Sequence, residues 1–323
     1  MGAVLLTGGA GFVGTYVARN LLIAGERVVV YDQAIRGNAL ELVLPGYTSE
    51  PRLTLAAGSI TDGWTILRLC REQGVDRIVH LAAPLTQAVA EAPAAGVRDI
   101  CAGTATVFET ATAIGARKVV WASSTAVFGS RADYPSGPLA NDAAHHPRSL
   151  YGACKSLCER MAIDYRDRDG LDSIGLRFSV VFGPGRLRGY MSFPSDLIRK
   201  VAMGEPVEMP IADEPIHWQY VEEVAAAVIA ALGAGRTLDA AFNPCGDSAS
   251  FRNIGEILAR LAPKTEITFS PTAADDGQRA LLEIPFEYDD SEFRNQIGYA
   301  KRFSLEESVA ASYHAFRRLV TGT

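Results

Sequence analysis

The stretch SLYGACKS, residues 149–156, sets a phenol and an ammonium four residues apart, Tyr151 and Lys155, with the thiol of Cys154 beside the lysine. On a helix that spacing is one turn, so both side chains reach the same place. The eight residues alone do not separate a reactive pair from two unrelated helix side chains. A second stretch, TGGAGFVG, spaces Gly8, Gly11 and Gly14 evenly. At a strand-to-helix turn such glycines permit a tight bend and a close backbone approach to a pyrophosphate, whose charge meets the helix N-terminus. The run VVVYD then ends in Asp32. A carboxylate there accepts both ribose hydroxyls and repels a 2′-phosphate, so the pattern predicts dinucleotide binding with NAD preferred to NADP. Arg36, just beyond Asp32, is the one feature that leaves NADP open.

The elements that must position these groups are visible as short apolar runs: AVLLTG, RVVVYD, RLTLAAG, RIVHLAA and KVVWASS. Between them, residues 12–22, 63–73 and 103–112 have helical spacing. Strands apolar throughout are buried on both faces, which predicts an α/β fold: a doubly wound parallel sheet covered by helices on each side. A sixth strand, SIGLRFSVV, follows the Tyr151 helix. After Gly183 come the Gly/Pro loop GPGRLRGYMSFPSD, a short helix, HWQYVEEVAAAVIAAL as another helix and AAFNPCG as a strand. The division predicted is a Rossmann domain over 1–179 plus 218–245, and a smaller C-terminal substrate lobe over 180–217 plus 246–323. No internal repeat or low-complexity tract is visible.

Bulk properties restrict the partners. The 323 residues carry a net charge of −6 with no Lys/Arg-rich run, which argues against nucleic acid or an anionic membrane. The most apolar helical run, EVAAAVIAALGAG, is too short to cross a bilayer. The N-terminus lacks a signal-peptide pattern, so a cytoplasmic protein is expected. Five scattered cysteines without a C-x-x-C, and five histidines without an H-x-x-x-H, point to no disulfide framework and no metal site. Cys154 and Cys158 read as buried small hydrophobes.

TGGAGFVG, LAA at 81–83, SSTAVFG at 123–129, YGACK at 151–155 and LRFSVVFGPG at 176–185 occur in an order and spacing that resemble the extended short-chain dehydrogenase/reductases, the branch with nucleotide-sugar epimerases and dehydratases. The resemblance covers roughly the first 230 residues, and agreement of five motifs in order makes it specific. It implies that Tyr151 is the general acid/base of hydride transfer to or from NAD, and that the Lys155 ammonium favours the phenolate and holds the nicotinamide ribose. Counting back from Val127 it implies Ser124 as partner of the reacting oxygen, with Ser123 and Thr125 open at an offset of one. Coenzyme contacts are implied at Gly8, Gly11, Phe12, Val13, Gly14, Asp32, Ser59, Ile60, Leu81, Ala82, Ala83, Tyr151, Lys155, Phe178 and Val181. Family dehydratases carry Asp-Glu where this chain has Thr125-Ala126, so dehydration is not expected. A homodimer through segments 97–113 and 150–167 is also implied.

Where the chain departs from that pattern, the departures agree. The nucleotide-sugar enzymes hold the diphosphate with an Asn and an Arg; this chain has Val180 and Ile216 there, and His217 at the neighbouring Asp. Ile100 replaces the Asn of the fourth-helix motif, and Ser59 the Asp of the adenine pocket. A diphosphate needs charge-assisted partners, which Val180 and Ile216 do not provide. The expected substrate is therefore a small hydroxylated compound: a sugar, sugar acid, polyol or hydroxy-carbonyl compound. Arg186 and Arg188 in the nearby loop are either solvated, or substitutes for the missing diphosphate partners, or, with His217, readers of a substrate carboxylate or hydroxyl. The alternatives are a nucleotide-sugar 4-epimerase using tightly bound NAD, and a NAD-binding protein with a vestigial site.

Overall fold

The computed structural model describes residues 2–35, 39–186 and 192–321. Twelve strands follow in chain order among them: β1 (Ala3–Thr7), β2 (Val28–Asp32), β3 (Leu53–Ala57), β4 (Val75–His80), β5 (Lys118–Ser124), β6 (Ser173–Phe178), β7 (Val180–Phe182), β8 (Val207–Met209), β9 (Pro215–Tyr220), β10 (Ala241–Phe242), β11 (Asp247–Ser250) and β12 (Ile267–Phe269). Seven form one parallel sheet in the order β10-β6-β5-β4-β1-β2-β3. Alternate residues of β1 enter opposite cores: Val4 and Leu6 pack with Val28, Val30 and Val79, while Ala3 and Leu5 pack with Val29, Tyr31 and Ile78. Both faces are covered, as the unbroken apolar runs predict, and this is the doubly wound arrangement. The order reverses beside β1, which opens a crevice at the carboxyl ends of β1 and β4.

Strand six ends early. The sequence SIGLRFSVV reads as one strand, but the chain breaks at Ser179, and β7 leaves the main sheet to join a three-stranded sheet, β11-β9-β7. Ser179 is held at the break by Gln219 Oε1, which accepts from its N–H (2.9 Å), and by the His217 carbonyl, which accepts from its hydroxyl (3.2 Å). The run HWQY, expected as helix, is instead the end of β9, and the helix begins only at Val221. Its residues are all buried between β7 and β11, and the Trp218 indole N–H donates to the Ala249 carbonyl at 2.8 Å. A strand enclosed on both sides shows no period-two alternation, so neighbouring helical sequence captured it in the sequence reading. β9 spans residues 217 and 218, which the sequence division assigns to different units.

The helix Leu150–Asp169 is fixed to the sheet by charge. Glu159 on its inner face receives two parallel bonds from Arg177 of β6, Nε to Oε1 at 2.9 Å and Nη2 to Oε2 at 2.8 Å. Ser123 of β5 donates to Glu159 Oε1 at 2.6 Å, and Arg177 Nη1 donates to the Asn141 carbonyl (2.7 Å) and Asn243 Oδ1 (3.2 Å). Burial alone raises the Glu159 carboxyl, but hydrogen bonds from Arg177 and His145, the Arg177 charge and Ser123 bring it down from 4.5 to about 2. Its stabilisation is therefore complete above its ordinary value of 4.5 and is lost as the pH falls from there towards about 2. Arg177→Met strands a buried carboxylate and is expected to cost about 3–5 kcal/mol in urea unfolding. Glu159→Gln is expected to flatten the dependence of the urea midpoint on pH below 4.5; an unchanged acid limb would contradict the pairing.

Candidate active site

The crevice beside β1 is lined by backbone rather than side chains. Gly8 sits at φ +71°, and a Cβ there would lie 2.6 Å from the Ala82 amide nitrogen. A Cβ on Gly14 would lie 2.2 Å from the Gly8 carbonyl oxygen. These two glycines let the first turn of the helix Phe12–Ile23 press onto the bend and let the bend press onto residues 81–83. Gly11 caps that helix without a side-chain bond, and no acidic residue lies in its first turn. The amides at Phe12, Val13 and Gly14 therefore face outwards with partial positive charge, as an anion site requires. Asp32 closes the opposite side, where Oδ2 accepts from the Ala10 amide (3.1 Å) and Oδ1 from Ala34 (3.3 Å). Burial is the largest influence on its carboxyl and raises it. A cradle that added Cβ atoms would fill, an uncapped helix N-terminus and a carboxylate at the end of β2 together fit a dinucleotide.

The remaining expected contacts surround that crevice. Leu81, Ala82 and Ala83 are half-buried at the end of β4. Ser59 is bonded to Thr61 through its hydroxyl (2.9 Å), and Ile60 is buried against Gly103, where a Cβ would lie 2.8 Å from it. Phe178 is partly buried at the end of β6, and Val181 is buried in the core beneath. Below the glycine turn the His80 imidazole bridges Thr7 (2.7 Å) and Thr104 (3.2 Å). Burial, helped by the Lys155 charge, holds that ring down at about 3, so it is neutral at pH 7.

Tyr151 and Lys155 lie one turn apart at the start of the helix Leu150–Asp169. The helix Leu150–Asp169 starts at Ser149, whose hydroxyl accepts from the Gly152 amide at 3.0 Å. Gly152 is the contact point: a Cβ on it would lie 2.0 Å from the Ala126 carbonyl oxygen. The first turn, with Tyr151, is thus pressed directly on the bend that follows Ser124. Tyr151 is partly exposed, whereas Lys155 is buried, its ammonium donating to the Ala122 carbonyl (2.7 Å) and lying 5.8 Å from the Tyr151 ring centroid. Ser124 Oγ accepts from the Ala126 amide (3.1 Å) and approaches the Phe178 carbonyl at 3.5 Å, a weak contact that a substrate oxygen can replace. Of the two neighbours left open by the count, Ser123 donates to Glu159 (2.6 Å), while Thr125 Oγ1 approaches the same Phe178 carbonyl at 3.4 Å.

Several groups differ from expectation. Arg186 is not a solvated loop residue: its Nη1 donates to the Val181 carbonyl (2.7 Å), its guanidinium stands 5.7 Å from the Phe12 ring centroid, and Tyr151 lies within electrostatic reach. Arg188 and Arg36 lie outside the described residues. His217 is buried edge-on to Tyr288, ring centroids 4.8 Å apart, and burial holds it down at about 3. Tyr288 itself carries no motif and was missed; it packs on Phe128 (5.9 Å), beside the bend that holds Ser124. Val180 and Ile216 are fully enclosed apolar residues. Cys154 and Cys158 are buried, with Cys158 Sγ 3.5 Å from Thr104 Oγ1. Among the described residues no helix is long and apolar enough to cross a membrane, and no group of three His, Cys, Asp or Glu is placed to hold a metal ion.

A glycine turn at a helix N-terminus, a carboxylate at the end of β2 and a Tyr/Lys pair one helical turn apart, on a doubly wound sheet, are the features of a dinucleotide-dependent enzyme of the short-chain dehydrogenase type. The sequence pattern of the NAD dependent epimerase/dehydratase family matches residues 4–243, and the chain belongs to that family, within the extended short-chain dehydrogenase/reductases. D-erythronate dehydrogenase of Cupriavidus necator is 30% identical over 236 residues, covering 70% of each chain. UDP-glucuronate 4-epimerase 4 of Arabidopsis thaliana is 31% identical over 207 residues, which are 61% of this chain but only 46% of that protein. The GalE-like L-threonine dehydrogenase from Cupriavidus necator shares the fold, with a TM-score of 0.84 at 22% identity over 97% of this chain and 99% of that one.

Gly152→Ala tests the contact that joins Tyr151 to the Ser124 bend. Overpacking is expected to cost about 1–3 kcal/mol of stability. The displaced first turn should lower kcat by roughly 100-fold. NAD affinity should change far less in a fluorescence titration if the glycine turn and Asp32, remote from Gly152, hold the coenzyme.

Proposed function

We propose that the protein is an NAD-dependent oxidoreductase that oxidises a secondary alcohol of a small hydroxylated substrate, or reduces the matching ketone. The observation that carries this is the pressing of the Tyr151/Lys155 turn onto the Ser124 bend at the mouth of the glycine crevice. NAD, when bound, supplies the hydride acceptor. Tyr151 Oη takes the proton from the reacting hydroxyl as general base and returns it in the reverse direction. Ser124 Oγ donates to the same oxygen, exchanging its long contact with Phe178 for a better one. The Lys155 ammonium, anchored by Ala122, stabilises negative charge on the phenol oxygen and offers its remaining N–H groups to the nicotinamide ribose. Phe12, Val13 and Gly14 present amides to the pyrophosphate, and Leu81, Ala82, Ala83 and Phe178 border the coenzyme. Asp32 favours NAD over NADP by like-charge repulsion of a 2′-phosphate.

The substrate lobe is formed by the β11-β9-β7 sheet and residues 246–323, which bring Tyr288 over the Ser124 bend. A nucleotide-sugar 4-epimerase is the second reading, supported by the epimerase relatives. It is weakened by the enclosed Val180 and Ile216, which offer a diphosphate no hydrogen bond. Net NADH release separates the two, since epimerisation returns the hydride. A panel of sugars, sugar acids, hydroxy acids and UDP-hexoses, followed at 340 nm, is expected to yield NADH with a small alcohol, and Tyr151→Phe to lower that rate by about 10²–10⁴-fold. Turnover unaffected by Tyr151→Phe would remove the assignment.

The helix Leu150–Asp169 also shows an outward stripe in which Leu150 is 44% and Leu157 50% exposed, near Val97 at 38%. Apolar residues aligned on one outer helix face support a homodimer through these segments. Light scattering is expected to give twice the 34.6 kDa chain mass, and Leu157→Glu to shift it to the monomer.

A further inference from the structure

Buried polar atoms without partners mark where a ligand is missing from a protein's internal bookkeeping. Among the described residues there are three: Trp121 Nε1, His217 Nδ1 and Arg186 Nε. Trp121 lies over Gly175 in the sheet core, away from the crevice. His217 is neutral at pH 7 for the reason given above, so it holds no charge to offer an anion. Arg186 differs from both. Burial pushes its guanidinium down only to about 10, against a small opposing influence from Tyr151, so it stays cationic.

A cation with an edge withdrawn from solvent, here the Nε of Arg186, is costly to leave without an anionic partner. Arg186 has one carbonyl, that of Val181, and no carboxylate among the described residues. Its guanidinium lies 5.7 Å from the Phe12 ring centroid, at the start of the helix Phe12–Ile23, and Tyr151 acts on it electrostatically. Its side chain as a whole is only half-buried, so its outer torsions can turn the Nε edge towards a ligand. The positions from which relatives of the nucleotide-sugar type would hold a diphosphate are apolar and enclosed in this chain, as Val180 and Ile216. Arg186, with its guanidinium at that distance from the Phe12 ring and its charge interacting electrostatically with Tyr151, is a cation on this side of the crevice that these apolar positions do not supply.

We propose that the substrate is a hydroxy acid and that Arg186 is the residue that binds its carboxylate, through the Nε edge, while Tyr151 acts on a hydroxyl of the same molecule. This substrate class rests on the oxidoreductase reading above, but the binding role of Arg186 does not. A guanidinium fork matches a carboxylate in geometry as well as charge, so the amide of the same acid should be a poor substitute.

The first test uses the wild-type protein with NAD and four- to six-carbon aldonates, each beside its amide and its alditol. Turnover is expected to favour the acids by about 100-fold in kcat/KM, the scale of one charge-assisted contact. Arg186→Gln should abolish that preference through KM, and Arg186→Lys should restore part of it. Amides or alditols used as well as acids would overturn the proposal, and that comparison needs no variant to fold. So would an Arg186→Gln protein that keeps its acid preference and instead loses NAD affinity, which would make Arg186 a coenzyme ligand.

The second test requires no turnover. Tartronate is titrated into the NADH complex of the Tyr151→Phe protein, with and without Arg186→Gln, by quenching of NADH fluorescence. Binding that weakens about 100-fold on loss of Arg186 supports the carboxylate site even if no alcohol in the panel is oxidised. Tartronate that binds equally well without Arg186, or fails to bind at all, overturns it.

Discussion

The buried pair of Glu159 and Arg177 is the constraint on which the placement of the reactive groups depends. Two charges removed from water lose several kcal/mol of hydration each, and they are recovered only when geometry is good and the remaining lone pairs and protons are satisfied. Here the partners are complete: Arg177 bonds both carboxylate oxygens, Ser123 and His145 take up further capacity on Glu159, and Asn141 and Asn243 receive the rest of the guanidinium. Those partners belong to four different parts of the chain. Glu159 is one turn beyond Lys155, and Ser123 immediately precedes Ser124. A network that fixes Glu159 and Ser123 to β6 therefore fixes Lys155 and Ser124 relative to each other.

Steric exclusion does from above what the ion pair does from below. Gly152 permits a backbone contact with Ala126 that no other residue allows, so the rotation and depth of the Tyr151 turn are set by carbonyl and Cα rather than by adaptable side chains. Gly8 and Gly14 act alike on the coenzyme side. The two sets of close approaches meet at β1, β4 and β5, whose residues are almost wholly inaccessible. A hydride donor and a general base need agreement to a fraction of an ångström, and rigid backbone contacts supply it more dependably than packed side chains.

What was legible in the sequence follows from this division. Strands buried on both faces announce themselves as unbroken apolar runs, so β1, β2, β4, β5 and β6 were readable, as was the partly buried edge strand β3 from its Leu and Ala residues, and glycines at a βα turn have a mechanical meaning of their own. The HWQY segment was not, because a central strand carrying a buried His and Gln has no periodicity of its own and abuts a strongly helical run. Glu159 and Arg177 were also unreadable as a pair. A glutamate on a helix and an arginine in a strand look like solvated charges until the fold brings them together across 18 residues. Tyr288 lies outside the motifs, and only the tertiary contact with His217 and Phe128 gives it a place. For Arg186 the sequence left two readings open, a solvated loop or a substrate contact, and burial removed the first.

The two sides of the crevice consequently obey different rules. On the side of the glycine turn the structure offers backbone amides and one carboxylate, Asp32, groups that under the proposed assignment favour a phosphate-bearing ligand in one register. In the second sheet Val180 and Ile216 are enclosed and apolar, while under the proposed assignment Arg186 supplies the positive charge that a substrate meets. Selectivity in such a site comes less from the number of contacts than from where charge is permitted. A ligand with its negative group near the reacting carbon is compensated, and one with its charge further out, under the β11-β9-β7 sheet, is left without a partner.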